Sequence, residues 1–409
     1  MNKIAEGYKQ TEVGVIPSDW EVKLLSDISD VKTGPFGSLL HEKDYVVDGT
    51  PIITVEHLGE QGVMHENLPM VSDFDRKRLK AYALKIGDIV FSRVGSVDRN
   101  SLIEENENGW LFSGRLLRIR VTNDNVSTRY LSYHFHQETT KQRVRSVAVG
   151  QTMASLNTQI LKCIEVAFPP TKAEQTAIAT ALNDADALIT ELEKLIAKKR
   201  NIKQGAMQEL LKSKKGWEVR TLGDIAEIKD GTHQTPKYFD SGIPFYSVEN
   251  VTADDFINTK YISQKEHDFL TKNWKIEKGD ILMTRIGSIG DCRYVNWDVN
   301  ASFYVSLALL KVKKQFSAKF ICQYSKYSFF KREIEINSLL FAYPKKINLG
   351  QISKVKLVIP KSIEEQTSIA QILSDMDAEI EALEKKLEKY KMIKEGVMQE
   401  LLTGKTRLV

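Results

Sequence analysis

Cysteine is scarce. Cys163, Cys292 and Cys322 are the only three in 409 residues, and no pair has Cys-x-x-Cys spacing. Isolated thiols exclude a disulfide framework and suit a reducing cytosol. Long apolar runs are missing as well. The longest aliphatic stretches, such as Leu307–Leu310, fall far short of the ~20 residues a membrane helix needs. The first residues, Met1-Asn-Lys-Ile-Ala-Glu-Gly7, lack the apolar core of a secretion signal, so a cytoplasmic location is expected. No excess of one charge sign exists either: 58 Lys+Arg against 54 Asp+Glu leave +4. That balance excludes a uniformly basic nucleic-acid coat but not a local basic face. At 42% hydrophobic the chain has ample apolar content for packed cores, so long disordered tracts are not expected.

Catalytic signatures are also lacking. The Asp/Asn-Pro-Pro-aromatic motif of amino-methyltransferases has no match, because the one Pro-Pro lies in Phe168-Pro-Pro-Thr171. Gly404-Lys405-Thr406 has the tail of a phosphate-binding loop, but Gln399 stands where its first glycine belongs and no strand precedes it. Glu21-Val-Lys23 and Glu227-Ile-Lys229 match only the end of a nuclease motif, at non-equivalent places. His134-Phe-His136 resembles a metal pair without a third ligand, and is expected to lie on a helix surface. No Ser/His/Asp order recurs. The expectation is a chain that is not an enzyme and holds no metal.

What is present is a duplication. Trp20-Glu-Val-Lys-Leu-Leu-Ser-Asp27 returns as Trp217-Glu-Val-Arg-Thr-Leu-Gly-Asp224. Gly87-Asp88-Ile…Arg93-Val-Gly-Ser96 returns as Gly279-Asp280-Ile…Arg285-Ile-Gly-Ser288, and Glu174-Gln175-Thr returns as Glu365-Gln366-Thr. The offset drifts from 197 to 191 along the chain, so a few loop insertions separate two copies of one domain. Four segments follow: a globular part at 1–170, a helix at 171–213, a second globular part at 214–361 and a second helix at 362–409. Charge is uneven. Residues 1–170 hold 20 cations and 22 acids, whereas 213–361 hold 24 and 16. The second globular part is therefore the basic one.

The helices carry the strongest periodic signal. Ile369, Leu373, Met376, Ile380, Leu383, Leu387, Tyr390, Lys394, Val397 and Leu401 alternate steps of four and three, as do Ile178, Leu182, Ala185, Ile189, Leu192, Ile196, Lys199, Lys203, Ala206 and Leu210. Such a/d seams predict helices of roughly 40 residues, about 60 Å each, whose apolar stripes pair with each other. Packing of each helix on its own domain is the plainer alternative. The globular parts read as mixed α+β. Strand-like runs at Ile52–Val55, Asp88–Phe91, Leu116–Val121 and Ile164–Phe168 recur at Phe245–Val248, Asp280–Met283, Leu307–Val312 and Val355–Ile359, with helical stretches at Tyr130–Gln137 and Lys319–Phe330.

DNA recognition needs cations for phosphate and polar groups for base edges, held on loops by a rigid frame. Four loop pairs qualify. The first is Lys32-Thr33-Gly-Pro-Phe-Gly-Ser38, matched by Lys229, His233, Gln234 and Lys237. The second is Arg93 and Ser96 with Arg285 and Ser288; an arginine paired to a domain carboxylate is the plainer account. The third is Gln151 with Tyr343, Lys345 and Lys346. The fourth, weaker, is His57, matched by Asn250. Ordinary surface loops would look similar.

The duplicated order of these motifs, with Val15-Ile-Pro-Ser-Asp-Trp20 and Met207-Gln-Glu-Leu-Leu211, resembles the specificity (S) subunit of type I restriction-modification systems over essentially the whole chain. Lys361, where the first copy has Pro170, departs slightly from the Pro-Pro-x-x-x-Glu-Gln pattern. The resemblance implies two target-recognition domains, each reading half of a gapped double-stranded DNA site, separated by two antiparallel coiled-coil helices. It implies docking of two methyltransferase (M) subunits on the helix pair and adjoining surfaces, and restriction (R) subunits in the full complex. S-adenosylmethionine and ATP with Mg would then be bound by those partners and no cofactor by this chain. Helix-pair and partner residues would be Glu174, Gln175, Leu182, Ile189, Leu192, Ile196, Glu365, Gln366, Leu373, Ile380, Leu383 and Leu387. A specificity module for a type II-like modification enzyme and a coiled-coil protein scaffold are the competing readings.

Overall fold

The computed structural model describes residues 5–150, 154–272, 274–339 and 342–408. The chain forms two compact units, Met1–Glu193 with Lys385–Val409, and Lys194–Glu384. The division falls inside both long helices, Lys172–Leu211 and Ile363–Leu402.

The first unit is built around a four-stranded antiparallel sheet in the order Asn100–Leu102, Ile89–Ser92, Leu116–Val121, Ser29–Thr33. Successive strand residues point to opposite faces, and here both faces are covered. Ile89, Phe91, Leu117 and Ile119 enter a core with Tyr130, Leu131 and Phe135, while Val90 and Leu116 enter another with Ile53, Leu58 and Phe112. A smaller mixed sheet, Leu111–Phe112, Thr50–Ile53, Met70–Val71 and Tyr45–Val46, lies on that second side. Glu21–Leu24 pairs with Glu165–Phe168.

The second unit repeats the plan. Its sheet runs Ala226–Asp230, Leu307–Val312, Ile281–Thr284, Cys292–Tyr294. Ile281, Met283, Ala308 and Leu310 pack with Phe320 and Tyr324, and Leu282, Leu307 and Leu309 pack with Tyr246 and Phe303. Three local expectations change. The run Ile52–Val55 ends as a strand at Ile53, with Val55 opening a short turn to His57. The run Phe245–Val248 ends as a strand at Tyr246, with Val248 opening a helix to Ala253. The run Lys319–Phe330 is two helices, Ala318–Tyr324 and Ser328–Asn337.

Each long helix starts on a capping signal. Thr171 Oγ1 accepts from Glu174 N at 3.2 Å, and Ser362 Oγ accepts from Glu365 N at 3.3 Å. The next residue anchors the helix to its domain. Gln175 Oε1 accepts from Ser127 N at 2.9 Å while its Nε2 donates to Asn125 O and Pro169 O. Gln366 does the same with Ser317 N and Pro360 O. Both glutamines are buried, and a neutral amide serves because the site needs a donor and an acceptor together.

Within each unit the two helix segments run antiparallel. In the first, Asp186 pairs with Lys394 at 2.5 Å and Glu193 with Lys391 at 3.0 Å. In the second, Asp377 pairs with Lys203, and Glu379 with Lys199 at 2.6 Å. The lysines that interrupt the apolar seams are thus matched by carboxylates of the other helix, Lys203 and Lys394 by aspartates and Lys199 by Glu379. The aspartates also bind the domain: Tyr133 Oη donates to Asp186 Oδ2 at 2.8 Å, and Gln323 Nε2 to Asp377 Oδ2 at 3.0 Å. Burial raises the Asp377 pKa, but Lys203, Lys326 and Gln323 more than offset this and hold it below the usual range.

Removing one partner of a buried pair strands the other charge. Lys394→Met is expected to destabilise the first unit by about 3 kcal/mol in urea unfolding. Lys203→Met should cost less, because Asp377 keeps Lys326 at 3.1 Å and Gln323. Equal costs would contradict this reading.

Candidate nucleic-acid interface

Strand direction brings the candidate loops together. In each main sheet the strand beginning at Leu116 or Leu307 lies antiparallel to both neighbours. The loops leaving Thr33 and Ser92 therefore emerge at one end, beside residues 113–115, and those leaving Asp230 and Thr284 emerge beside residues 304–306. Gly34 and Gly231 turn there against backbone. A Cβ would fall 2.1 Å from Ser113 O at Gly34 and 2.4 Å from Tyr304 O at Gly231, so no other residue fits without a shift.

The third loop zips onto the second. Gly95 N donates to Ala154 O at 2.9 Å and Leu156 N to Arg93 O at 2.7 Å. In the second unit Gly287 N donates to Lys345 O at 2.8 Å and Ile347 N to Arg285 O at 3.0 Å. Both glycines have positive φ, 75° and 84°. Three of the four loop pairs thus converge in each unit on a twice-built frame.

The side chains are deployed unequally. In the first unit Lys32 Nζ turns away to Ala81 O at 2.8 Å and sits 4.4 Å from the Tyr82 ring. Thr33 is half-buried and Ser96 exposed. Ser38 lies in the turn Gly37–Leu39. Arg93 is half-buried, its guanidinium 5.9 Å from the ring of Phe36. Gln151 lies outside the described residues. His57 is buried and accepts from Thr54 N at 3.2 Å, capping the turn Val55–His57. Its ring serves the turn and is not presented to solvent.

In the second unit Arg285 is buried and bound to Asp230 at 2.5 Å, and Asp230 also meets His233 at 2.8 Å. Lys229 lies 3.3 Å from Glu227, Ser288 Oγ donates to Asp291, and Lys345 reaches both oxygens of Glu335 at 2.8 and 3.0 Å. Gln234 and Tyr343 are exposed, and Lys346 is half-buried on the bridge to Ile286. Lys237, also exposed, lies 5.4 Å from the Phe239 ring.

The sequence matches the type I restriction modification DNA specificity domain twice, at residues 17–204 and 214–391. The chain belongs to that family. Curated relatives of this specificity chain include the putative type I restriction enzyme MjaX specificity subunit of Methanocaldococcus jannaschii. It is 29% identical, covering 98% of this chain and 97% of the relative. The MjaVIII specificity subunit of the same organism is 24% identical over 98% and 96%. The crystal structure of a type I S subunit from M. genitalium shares the fold, with TM-score 0.64, 17% identity and coverage of 98% and 97%. A chain solved in work on complex assembly and conformational transition of the type I R-M system gives TM-score 0.55 at 13% identity, covering 96% and 99%.

In this specificity chain Leu182, Ile189, Leu192, Ile196, Leu373, Ile380 and Leu387 are buried and Leu383 is half-buried; Leu182 packs in the core of the first unit and Leu373 in that of the second. Glu174 is buried under Arg407, which also grips Asp19 at 3.0 and 3.1 Å. Glu365 accepts from Trp217 Nε1 at 3.1 Å. Sequence reasoning passed over Arg115, Phe36 and Asp230. Aligning the two copies shows the signal: Asp230 stands where Thr33 does, beside equivalent arginines.

The His134–His136 pair corrects an expectation. Both rings are buried, because the helix Thr128–His136 is enclosed on nearly every side. His134 Nδ1 lies 3.1 Å from Thr140 Oγ1, and His136 Nε2 lies 3.2 Å from Asn100 O. Burial lowers their pKa values to about 3 and about 4, from 6.5. Both folded values lie below the unfolded one, so this stabilisation is complete above about pH 6.5 and is lost as pH falls toward about 4. Unfolding is expected to take up as many as two protons in that window, seen as a falling melting temperature. His136→Asn should flatten the slope; an unchanged slope would contradict the assignment.

Proposed function

We propose that this chain is the non-catalytic subunit that gives a type I restriction-modification complex its choice of DNA sequence. Each unit reads one half of a gapped, double-stranded site through its strand-end loops. The observation carrying this is the loop junction built twice on one frame, with Gly34/Gly231 and Gly95/Gly287 retained and the tips different. Repeated frames with unlike tips suit two heads that see unlike half-sites. The helix pair with adjoining surfaces docks two methyltransferase subunits. These supply S-adenosylmethionine-dependent methylation at adenine N6, and restriction subunits supply ATP- and Mg-dependent cleavage.

Co-expression with the partner methyltransferase, followed by genome-wide mapping of adenine methylation, tests the proposal. One bipartite motif is expected, and exchanging the loop tips of one unit should alter one half only. A contiguous motif, or one indifferent to the exchange, would overturn it. Deleting one heptad between Leu182 and Leu192 with its partner heptad should change the gap and leave both half-sites intact. Altered half-sites at a constant gap would refute the spacer role.

A further inference from the structure

The two units build the same junction and fill it with opposite charge balance. One residue before the glycine of close approach, the first unit has Thr33 and the second has Asp230. Asp230 engages Arg285, which is 4% exposed. Arg93 occupies the place of Arg285, but Thr33 offers it no charge. Among the described residues the Arg93 guanidinium makes no ion pair or hydrogen bond, and its neighbour is the ring of Phe36, itself 62% exposed.

Arg115 faces Arg93 across the strand end. Ser92 pairs with Leu116, and Arg93 N donates to Arg115 O at 2.9 Å. Arg115 is exposed and, among the described residues, its side chain also lacks a carboxylate partner. Its counterpart in the second unit is Ser306, which is buried and accepts from Val248 N at 3.1 Å. At the three aligned positions the first junction therefore holds Thr33, Arg93 and Arg115, two guanidinium groups and no carboxylate, and the second holds Asp230, Arg285 and Ser306, one of each.

Like charges opposite one another on neighbouring strands repel. Two arginines without an ion pair among the described residues, one of them beside an aromatic ring, form a surface completed by an acceptor-rich ligand. Guanidinium forks onto phosphate or onto guanine O6 and N7, and the ring favours a flat-lying cation.

Resting on the function proposed above, we infer that Arg93 and Arg115 together form the clamp of the first unit on DNA acceptor atoms, whereas Arg285 is a positioning residue locked by Asp230. The first unit grips with arginines; the equivalent arginine of the second braces its loops.

The test uses the assembled complex with its methyltransferase and a duplex carrying the methylation motif of the wild-type complex. R93Q/R115Q should melt close to wild type, since Arg115 is exposed, Arg93 is only half-buried and neither has an ion pair among the described residues, yet bind at least about ten-fold more weakly. If the contacts are to phosphate, affinity falls for all sequences and the log K against log salt slope flattens by up to about 2. If they are to guanine, preference relaxes at one position of one half-site. T33D should shift binding the same way, by giving Arg93 the partner that Arg285 has. D230N should lower melting temperature without changing base preference at the other half-site. Where D230N does not fold, D230L/R285M removes both charges together and serves the same reading. Unchanged affinity, slope and motif in R93Q/R115Q would overturn the inference, as would altered half-site preference in either Asp230 variant. If the wild-type complex binds no duplex at all, the functional reading itself fails and the inference falls with it.

Discussion

Lys203 and Lys394 are the constraint on which the helix pairing depends. A seam of aliphatic residues alone tolerates sliding by a heptad, because one leucine layer resembles the next. A lysine in the seam does not, since its ammonium must meet a carboxylate or be stranded. Asp186 and Asp377 supply that carboxylate from the opposite helix. Each also binds its own domain, through Tyr133 in one unit and through Gln323 and Lys326 in the other. One carboxylate per unit thus fixes helix register and domain position together. The Gln175 and Gln366 anchors at the helix starts add a second fixed point.

Above this frame, the proposed recognition site sits where packing stops dictating sequence. Both faces of the main sheets are covered, so their inner strands Ile89–Ser92 and Ile281–Thr284 are buried along their whole length. At the strand ends the chain turns back on itself, and there Gly34 and Gly231 hold backbone against backbone. The frame tolerates different side chains a few residues away because the glycines, and not the tips, carry the turn. A family that varies its recognition needs this separation of rigid support from variable contact.

The duplication, the two seams and the paired strands were legible because each depends on a pattern many residues long. The roles of single polar residues were less so. His134 and His136 looked like a surface pair because the copies differ there, yet the covered sheet leaves their helix little exposed surface. Arg285 matched Arg93 in sequence context, but its partner Asp230 lies 55 positions away in the chain. Lys394 read as an interruption of the seam until the aspartate opposite it was located. In each case the deciding neighbour is distant in sequence, and local pattern carries no trace of it.

Charge shows the same limit from another side. Formal counts make the second globular part basic and the first slightly acidic. At the aligned loop positions the order reverses, since Arg285 is neutralised by Asp230, while among the described residues Arg93 and Arg115 have no ion pair. A paired cation contributes little field at a distance, because its partner cancels it. An unpaired arginine in a partly enclosed junction keeps its full charge and its five donors. Under the proposed reading, the capacity to hold DNA follows the placement of unpaired charge, and the Thr33/Asp230 and Arg115/Ser306 differences beside a shared arginine set which unit supplies it.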